Sequence, residues 1–441
     1  MTPRLLAAAL IILAWAIMTL WITRRAYKQP VHPSDGRAPD ASAIAVIYAS
    51  QTGTAHDLAQ RTASSFGDQA RLVPASTLDP SNLVQYRTAL FIVSTYGEGD
   101  APDMAQTFLE KMAALPLEPR PLQGLETAVL GLGDRSYDNY CGFGRHVEQW
   151  LHAAGARSLF PMVEVDRGDA QALEIWRNRL DEVFDIKLNI DMDYPSWRLA
   201  HREVSNPGSL GRPCHELHLT PLDQPMPFWS AGDIAEVCIG DTDLRRDYSV
   251  ASIPQEGVVR LLIREHYLPD GEPGRGSQWL TQTIQPGSVV KLRLRSNPSF
   301  HVDCERPAVF IGNGTGIAGL RALLKQRIEA GRRDNWLLYG ERQRHCDLHF
   351  ADDLLNWKKD DWLARIDLAF SRDQATKRYV HHLMRENAQE MRNWVAKGAV
   401  IYVCGSRTGM AADTDLALLE ILGTMGYADL SARNGLKRDV Y

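Results

Sequence analysis

Short apolar runs alternate with longer amphipathic stretches between residues 43 and 191. The runs IAVIYA, TALFIVST and TAVLGLG have the length and composition of buried strands. The stretches HDLAQRTASSF, DMAQTFLEKMAAL and GFGRHVEQWLHAAG have helical periodicity. This alternation predicts an α/β domain with a doubly wound parallel sheet, whose ligands bind beyond the carboxyl ends of the strands.

Two further patterns follow along the chain. Between residues 197 and 304, CHELHLTPLD, DIAEVCIG, VVRLLIREHY and SVVKLRLRS alternate polar and apolar positions between Gly and Pro breaks, which predicts a small antiparallel β-barrel. From 305 to 441 the α/β alternation returns, with strands predicted in AVFIGNG, NWLLYG, RIDLAFS and AVIYVCG. Together, these three patterns predict three folded domains, 43–191, 197–304 and 305–441.

The N-terminal segment differs from the rest. The run Leu5–Ile22 is uncharged over about 18 residues, enough for one membrane span. A cleaved signal peptide is the alternative, with AWA at Ala14–Ala16 as its cleavage site. We favour an uncleaved anchor over 1–28, because the run continues past that site and the basic cluster RRAYK closes it. This predicts a single-pass membrane protein with its catalytic domains on the cytoplasmic side, joined through a flexible tether, 29–42.

Composition excludes several classes of protein. The chain has 441 residues, of which 44% are hydrophobic and 23% charged, as in a globular protein. Its formal net charge of -5 argues against a nucleic-acid partner. The six cysteines form no CxxC pair, so we expect neither a zinc site nor a disulfide framework.

The first chemistry-bearing loop follows the first predicted strand. Its amides precede a predicted helix and stand among hydroxyl side chains, which suits a phosphate bound without a metal ion. A nucleoside triphosphate normally requires GxxxxGK[ST], which is absent, whereas the phosphate of a flavin mononucleotide requires less. The residues predicted to hold it are Ser50, Gln51, Thr52, Gly53, Thr54 and Ala55.

Two more loops follow predicted strands of the same sheet. STYGEGD offers Tyr96 as a stacking face, and GLGDRSYDNY offers Tyr137. Two aromatic rings around one flat ring suit a flavin. Taken alone, each loop is more often a surface turn and each tyrosine a packing residue, but three such loops at one end of a sheet favour a site. The other cofactor-binding residues predicted here are Gly97, Glu98, Gly99 and Gly133.

Acidic side chains border this predicted site: Glu98, Asp100, Asp103, Asp134 and Asp138. They indicate either a solvated acidic rim or a surface that steers a basic electron acceptor, and the sequence favours neither.

The middle domain contains two strings suited to a dinucleotide. In RRDYS, Arg246 can neutralise a pyrophosphate, and Tyr248 lies two residues on, hence on the same face of a strand. GEPGRGSQWL predicts a tight loop before a helix, another favourable place for an anion, with Gly274, Gly276 and Ser277 as its binding residues.

The last domain has a strand, a Gly-rich turn and a helix in VFIGNGTGIAGLRALL, with Gly312, Thr315 and Gly316 in the turn. GxGxxG-type strings are weak by themselves. A sharper signal is FSRDQATKRYV, a basic, hydroxyl-bearing cluster that fits the extra phosphate of NADP, although a solvated basic stretch is the usual alternative. The residues of this cluster are Ser371, Arg372, Lys377 and Tyr379.

Together these strings resemble the NADPH-dependent diflavin reductases, which include cytochrome reductase and the sulfite reductase flavoprotein. SQTGTA, STYGEGDAPD and GLGDRSYDNYCGFG are similar to their flavodoxin half. RDYS, GRGS, GNGTGIAGLRALL, SRDQATKRY, YVCGSRTGMA and RDVY are similar to their ferredoxin-NADP reductase half. The resemblance implies that the first domain binds FMN, the middle domain FAD and the last domain NADPH.

The resemblance also implies roles for single residues. Tyr96 and Tyr137 would flank the FMN ring, and Asp166 in VEVDRGD would be a further acid beside it. Ser249, Cys404 and Asp439 would form the catalytic group for hydride transfer, although Cys404 taken alone is more often a small buried hydrophobe. Tyr441 would cover the FAD ring.

The chain departs from this family at one loop. The loop 240–246 is very short, whereas cytochrome reductases carry a large helical insert there. We therefore expect no large connecting domain and a different placement of the FMN domain.

The expected function is a membrane-anchored reductase that passes electrons from NADPH to FAD, to FMN and to a one-electron acceptor protein. The acceptor would contain haem or iron and be associated with the membrane. A sulfite reductase flavoprotein and an iron-chelate or membrane-haem reductase component are alternatives with the same cofactors. A non-catalytic flavin-binding membrane sensor is an alternative of another class.

Overall fold

The computed structural model describes residues 44–135, 137–242 and 244–441. The predicted anchor, 1–28, and the predicted tether, 29–42, lie outside the described residues.

The first domain is the predicted α/β domain. Its sheet is parallel, in the order β2-β1-β3-β4-β5, and β6 pairs with β4 as well. The strands are β1 (Ile44–Ala49), β2 (Ala70–Pro74), β3 (Thr88–Ser94), β4 (Glu126–Gly133), β5 (Arg157–Ser158) and β6 (Val163–Asp166). The helices are α1 (Thr54–Phe66), α2 (Gln106–Ala114), α3 (Gly142–Ala153) and α4 (Ala170–Phe184).

The helices pack on the sheet through single apolar faces. In α1 the buried positions Ala55, Leu58, Ala59, Thr62 and Phe66 recur at helical spacing, so that one stripe of the helix meets the sheet. The parallel order of the strands determines where the loops lie. Because β1, β3 and β4 are parallel neighbours, the loops that follow them meet at one edge of the sheet.

The middle domain is antiparallel, in the order β10-β9-β12-β7-β8-β11. Its strands are β7 (Ser196–Val204), β8 (Cys214–Pro221), β9 (Ile234–Cys238), β10 (Arg245–Ser249), β11 (Val259–Arg264) and β12 (Val289–Arg295). A short helix, α5 (Arg275–Gln278), follows β11.

The predicted barrel is corrected to an open sheet. No ladder joins β10 to β11 within the part of the chain that the structure describes. The two edges approach through one backbone hydrogen bond, 2.8 Å from the amide of Ala251 to the carbonyl of Arg260. The reason is local, since the chain leaves β10 through the turn Pro254–Glu256 before it enters β11.

The last domain is again parallel, in the order β15-β14-β13-β16-β17. Its strands are β13 (Ala308–Asn313), β14 (Asn335–Glu341), β15 (Arg365–Phe370), β16 (Val400–Gly405) and β17 (Leu436–Val440). Its helices are α6 (Ile317–Glu329), α7 (Arg344–Asp347), α8 (Ala351–Lys359), α9 (Val380–Glu386), α10 (Ala388–Ala396) and α11 (Ala412–Ala432).

The short loop noted in the sequence is a hairpin. It connects β9 to β10, and the amide of Ile239 donates to the carbonyl of Leu244 at 3.0 Å. Gly240 has a φ of 59°, which a glycine adopts without the steric cost that other residues meet.

The predicted single-pass membrane localisation is contradicted and is corrected here. Among the described residues, no helix combines the length and the apolar composition that crossing a bilayer requires. The longest of them, α11, has 21 residues but carries the carboxylates Asp413, Asp415, Glu420 and Asp429. The run Leu5–Ile22, from which the localisation was predicted, lies outside the described residues.

Candidate functional site

The predicted phosphate loop lies between β1 and α1. Gly53 has a φ of 87° and is the N-cap of α1. The first helical hydrogen bond runs from the amide of Asp57 to the carbonyl of Gly53, at 2.9 Å. The amides of Thr54, Ala55 and His56 therefore precede the helical ladder, as at every helix N-terminus, and remain available to an anion.

Two buried hydroxyls at this edge have no hydrogen-bond partner among the described residues. They are Ser50 Oγ, from the end of β1, and Thr95 Oγ1, from the end of β3. Leaving a buried donor without a partner costs about 1–3 kcal/mol, so such groups normally bond something. Hydroxyls and amides without a lysine are the donor set expected for the phosphate of FMN, and the residues present fit that group.

Gln51 has a different role from the predicted one. Its side chain is buried and bonds both ends of one residue on the next loop: Nε2 donates to Asp103 Oδ2 at 3.1 Å, and Oε1 accepts from the Asp103 amide at 2.9 Å. Gln51 thus ties the loop after β1 to the chain after β3. Its side chain is committed to Asp103, so we assign it to positioning the loop.

The loop after β3 is a tight turn closed on itself. Tyr96 and Asp100 exchange two backbone hydrogen bonds, both at 2.8 Å, with Gly97 and Gly99 at positive φ between them. Tyr96 is partly buried and packs against an apolar cluster of the last domain that includes Val440. Glu98 accepts a bond at its carbonyl from Asn139 Nδ2, 3.0 Å away, which joins this loop to the third one.

The third loop follows β4 and begins at Gly133. A Cβ at Gly133 would lie 2.9 Å from the Cys141 amide, so the position requires the absence of a side chain. Asp166, at the end of β6, is paired in register with Gly133 and accepts from the Arg135 amide at 3.1 Å. Tyr137 lies in this loop and is partly buried. The three loops predicted from the sequence are therefore neighbours.

The acidic rim separates into two groups. Asp103 is paired with Arg438 at 3.0 Å, and Asp134 with Arg167 at 3.4 Å. Glu98, Asp100 and Asp138 are exposed. Only part of the predicted rim is therefore available to steer an acceptor, because Asp103 is used between domains.

A cavity of about 890 Å³ lies against the middle domain. The predicted residues Arg246, Tyr248, Ser249, Gly274, Gly276, Ser277, Thr315 and Tyr441 all line it. Arg246 bonds only its neighbour's carbonyl, at 2.8 Å, and makes no ion pair with any described residue. A free guanidinium in a cavity of this size suits the pyrophosphate of FAD.

The two glycines of this cavity allow close backbone approach. A Cβ at Gly276 would lie 2.8 Å from Arg246 Cγ, and one at Gly274 would lie 2.9 Å from His266 Cδ2. Ser277 Oγ donates to the Gly274 carbonyl and accepts from the His266 amide, both at 3.0 Å. Ser277 lies within α5 and its hydroxyl holds the loop closed.

The predicted catalytic group converges from three strands. Ser249 Oγ, at the end of β10, donates to Asp439 Oδ2 of β17 at 2.6 Å, and Cys404 Sγ of β16 lies 3.7 Å from the same oxygen. Ser249 is 9% exposed, Asp439 4% and Cys404 0%. Burial raises the pKa of Asp439, and the hydrogen bond from Ser249 opposes that rise. Burial also raises the pKa of the Cys404 thiol well above its usual range.

A second cavity, of about 800 Å³, lies against the last domain. Among the predicted residues, Thr315, Ser371, Arg372, Tyr379 and Tyr441 line it. Tyr441 borders both cavities, its OH lies 3.0 Å from Thr315 Oγ1, and its amide donates to the Gly405 carbonyl at 3.1 Å. The chain end is therefore held between the two cavities.

Three predicted residues lie elsewhere. Lys377 is exposed and does not line the second cavity, where Arg378 does instead. Gly312 and Gly316 lie behind the cavity wall, where a Cβ on Gly316 would overlap the carbonyl of Cys404 and one on Gly312 would lie 2.9 Å from it. These glycines bring β13 and α6 against β16, and their role is close packing.

Sequence reasoning missed several cavity residues. Arg264, at the end of β11, borders both cavities and is paired with Glu341 of β14. Arg212, His266, Arg342 and His381 also line one cavity or both. They stand in none of the motifs from which the sites were predicted.

Comparisons with known proteins agree with this arrangement. A flavodoxin model matches residues 46–176, and an oxidoreductase NAD-binding domain model matches residues 310–415. Similar curated proteins are NADPH sulfite reductase flavoprotein alpha-components. The protein of Thiocapsa roseopersicina is 29% identical over 86% of this chain and 83% of its own length. Those of Bacillus subtilis and Vibrio cholerae are 24% and 26% identical, over 90% and 97% of this chain and 89% and 93% of their own lengths.

The chain therefore combines a flavodoxin module with an NAD-binding oxidoreductase module that follows it. The predicted enzyme class, an NADPH-dependent flavoprotein reductase, and the predicted cofactors, FMN, FAD and NADPH, are confirmed. The alternative of a non-catalytic sensor is set aside.

Proposed function

We propose that the chain carries electrons from NADPH through FAD to FMN and delivers them singly to an external acceptor protein that contains haem. FMN would bind within 43–191, FAD within 197–304 and NADPH within 305–441. The observation that carries this proposal is the cluster of Ser249, Cys404 and Asp439, with Tyr441 bordering both cavities. When bound, NADPH supplies a hydride and the two flavins divide its electron pair.

The residues around the proposed hydride site would orient the reacting rings and hold the proton of the Ser249 hydroxyl in place. Asp439 is buried and accepts the Ser249 hydroxyl, which fixes both side chains in one geometry. The Cys404 thiol is buried beside them and would pack against the nicotinamide. Gly319 keeps this place open, since a Cβ there would lie 3.2 Å from Cys404 Sγ and 3.4 Å from Ser249 Cβ.

The binding residues would act at fixed positions. Arg246, Tyr248 and Ser277 would hold FAD, while Ser371 and Arg372 would hold the extra phosphate of NADPH. The FMN phosphate would be held by Ser50, Thr52, Thr54 and Thr95. The FMN ring would lie between Tyr96 and Tyr137.

Purified protein tests this function directly. We expect FMN and FAD in near-equal amounts, both bleached by NADPH, and reduction of a haem protein supplied as acceptor. A preparation that bound only one flavin after reconstitution would contradict the proposal.

A second candidate function is the flavoprotein component of a sulfite reductase. The names of the similar proteins favour it, since each is the flavoprotein alpha-component of an NADPH sulfite reductase. The two candidates differ only in the acceptor. Sulfite-dependent oxidation of NADPH after addition of a sulfite-reducing component would favour the second, and reduction of an unrelated haem protein alone would favour the first.

A further inference from the structure

The outer side of the phosphate loop is covered by the middle domain. Ser299 Oγ donates to the carbonyl of Gln51 at 3.1 Å, and the guanidinium of Arg295 donates to the carbonyl of Thr52. A Cβ at Gly53 would overlap the carbonyl oxygen of Ser296. Three consecutive residues of the loop are thus in contact with the segment 295–299, which includes the end of β12.

These contacts are partly buried and are connected to further bonds within the middle domain. The side chain of Arg295 is 0% exposed and is also paired with Asp247, so its position is fixed within the middle domain. Ser299 Oγ lies 2.8 Å from Asn297 Oδ1, and Asn297 is fully buried. The Asn297 Nδ2 atom has no hydrogen-bond partner among the described residues.

An ion pair continues the contact into α1. Asp57, in the first turn of this helix, lies 2.6 Å from Arg293, whose side chain is 7% exposed. Although burial would raise the pKa of Asp57, Arg293 and Arg61 lower it, so the carboxylate is charged at neutral pH. The loop and the helix that presents its amides are therefore held by one neighbouring strand.

We propose that the FMN phosphate site is completed by the middle domain, with Arg295 and Ser299 as positioning residues for a loop that belongs to the first domain. The two side chains bond the carbonyls of Gln51 and Thr52, which fixes the peptide planes on either side of Thr52. The amides of those planes, Thr52 and Gly53, directly precede the free amides of Thr54, Ala55 and His56 that α1 offers to the phosphate. The inference rests on the proposed function, because it takes FMN as the ligand of this loop.

A reciprocal effect follows by linkage. If contact with 295–299 raises the affinity of the loop for FMN, bound FMN must strengthen that contact by the same factor. FMN would then act on the docking of the two domains as well as on electron transfer.

The test uses the full chain with FAD saturated and measures the dissociation constant of FMN by flavin fluorescence. Ser299→Ala removes one neutral hydrogen bond to the loop, and we expect FMN to bind about 2- to 10-fold more weakly. Arg295→Lys keeps the charge but loses the fork that reaches both Thr52 and Asp247. We expect a loss of about 10- to 100-fold there, with FAD retained.

Ser252→Ala is the matched control. Ser252 Oγ also donates to a carbonyl, that of Val258 at 2.7 Å, but this bond lies wholly within the middle domain. It should leave the FMN dissociation constant unchanged. In the wild type, added FMN should slow hydrogen exchange at the amides of 295–299.

Three results would overturn the inference. Wild-type FMN affinity in both variants would show that the loop needs no help from the middle domain. Parallel loss of FAD would assign Arg295 and Ser299 to the general stability of that domain. A wild-type chain that binds no FMN would remove the proposed function as well, which distinguishes that failure from the first.

Discussion

The proposed FMN loop and the proposed hydride site are built in opposite ways. The loop is one continuous string, Ser50–Ala55, whose hydroxyls and amides follow from its own residues and from the helix after it. The hydride site joins Ser249 to Asp439, which lie 190 positions apart, and adds Cys404 from a third strand. A local site can be recognised from a string, whereas an assembled site depends on every contact that holds its domains together.

The comparison predicts that the assembled site is the more sensitive to single changes. Ser249→Ala removes the 2.6 Å bond to Asp439 and leaves the buried carboxylate with only the weak thiol donor of Cys404, 3.7 Å away. We expect the rate of flavin reduction by NADPH, measured by stopped flow, to fall about 100-fold.

FMN and FAD contents should be unchanged in that variant. The control is Ser252→Ala, at a buried serine whose hydroxyl donates to the carbonyl of Val258, and this variant should reduce flavin at the wild-type rate. Equal loss in both variants would mean that the bond at Ser249 has no special place in the reaction.

The assembled site also depends on pH through the contact between the middle and last domains. His349 is buried there, with Nδ1 2.9 Å from Ser205 Oγ and Nε2 3.6 Å from Glu341. Burial alone would lower the pKa of His349, but Cys214 and Glu341 raise it to about 9. A raised pKa means that the folded chain binds the proton more tightly, so the stabilisation is complete below about pH 6.5 and is lost as pH rises through 9.

We expect the free energy of unfolding to fall by about 2–3 kcal/mol over that range, and His349→Gln to remove this dependence. Chemical denaturation at several pH values measures it. FAD should be released at lower denaturant as pH rises. An identical pH profile in wild type and variant would contradict the role of His349.

The coenzyme cluster distinguishes what the string and the structure predict. Ser371, Arg372 and Lys377 stand together in the sequence, but only the first two line the cavity. Arg372→Ala should lower kcat/KM for NADPH about 10- to 30-fold and leave NADH nearly unaffected, because a charge-assisted bond to the extra phosphate is lost.

Lys377→Ala is the matched control, since it removes a neighbouring exposed cation and should change neither coenzyme appreciably. A larger effect at Lys377 than at Arg372 would show that Lys377 binds the extra phosphate, as the sequence predicted.

The smallest expected effect falls on the local site. Tyr137→Ala should weaken FMN binding about 5-fold, since losing one stacked ring costs about 1 kcal/mol. Reduction of FAD by NADPH should be preserved. If FMN binding and the reduction of FAD declined together, the two sites would depend on each other.

The sequence predicted most of the fold because its patterns are local. Buried strands such as IAVIYA and AVIYVCG can be recognised from their continuous apolar runs, and they are β1 and β16 in the structure. Five strands were missed: β2, β5, β6, β7 and β17. In β2 and β17, ARLVP and LKRDV carry charged residues and have no clear period. Their strand structure depends on a parallel neighbour, which a local pattern does not record.

Sequence alone determined the loops, the glycines that allow them and the residue types of each site, because phosphate and flavin chemistry selects short strings of hydroxyls, glycines and aromatics. Tertiary structure decided which residues meet. It placed Arg264 at both cavities, put Arg378 where Lys377 was expected, and covered the phosphate loop with Arg295 and Ser299. The reason is geometric, since a strand's register and a domain's docking bring together side chains that no spacing along the chain relates.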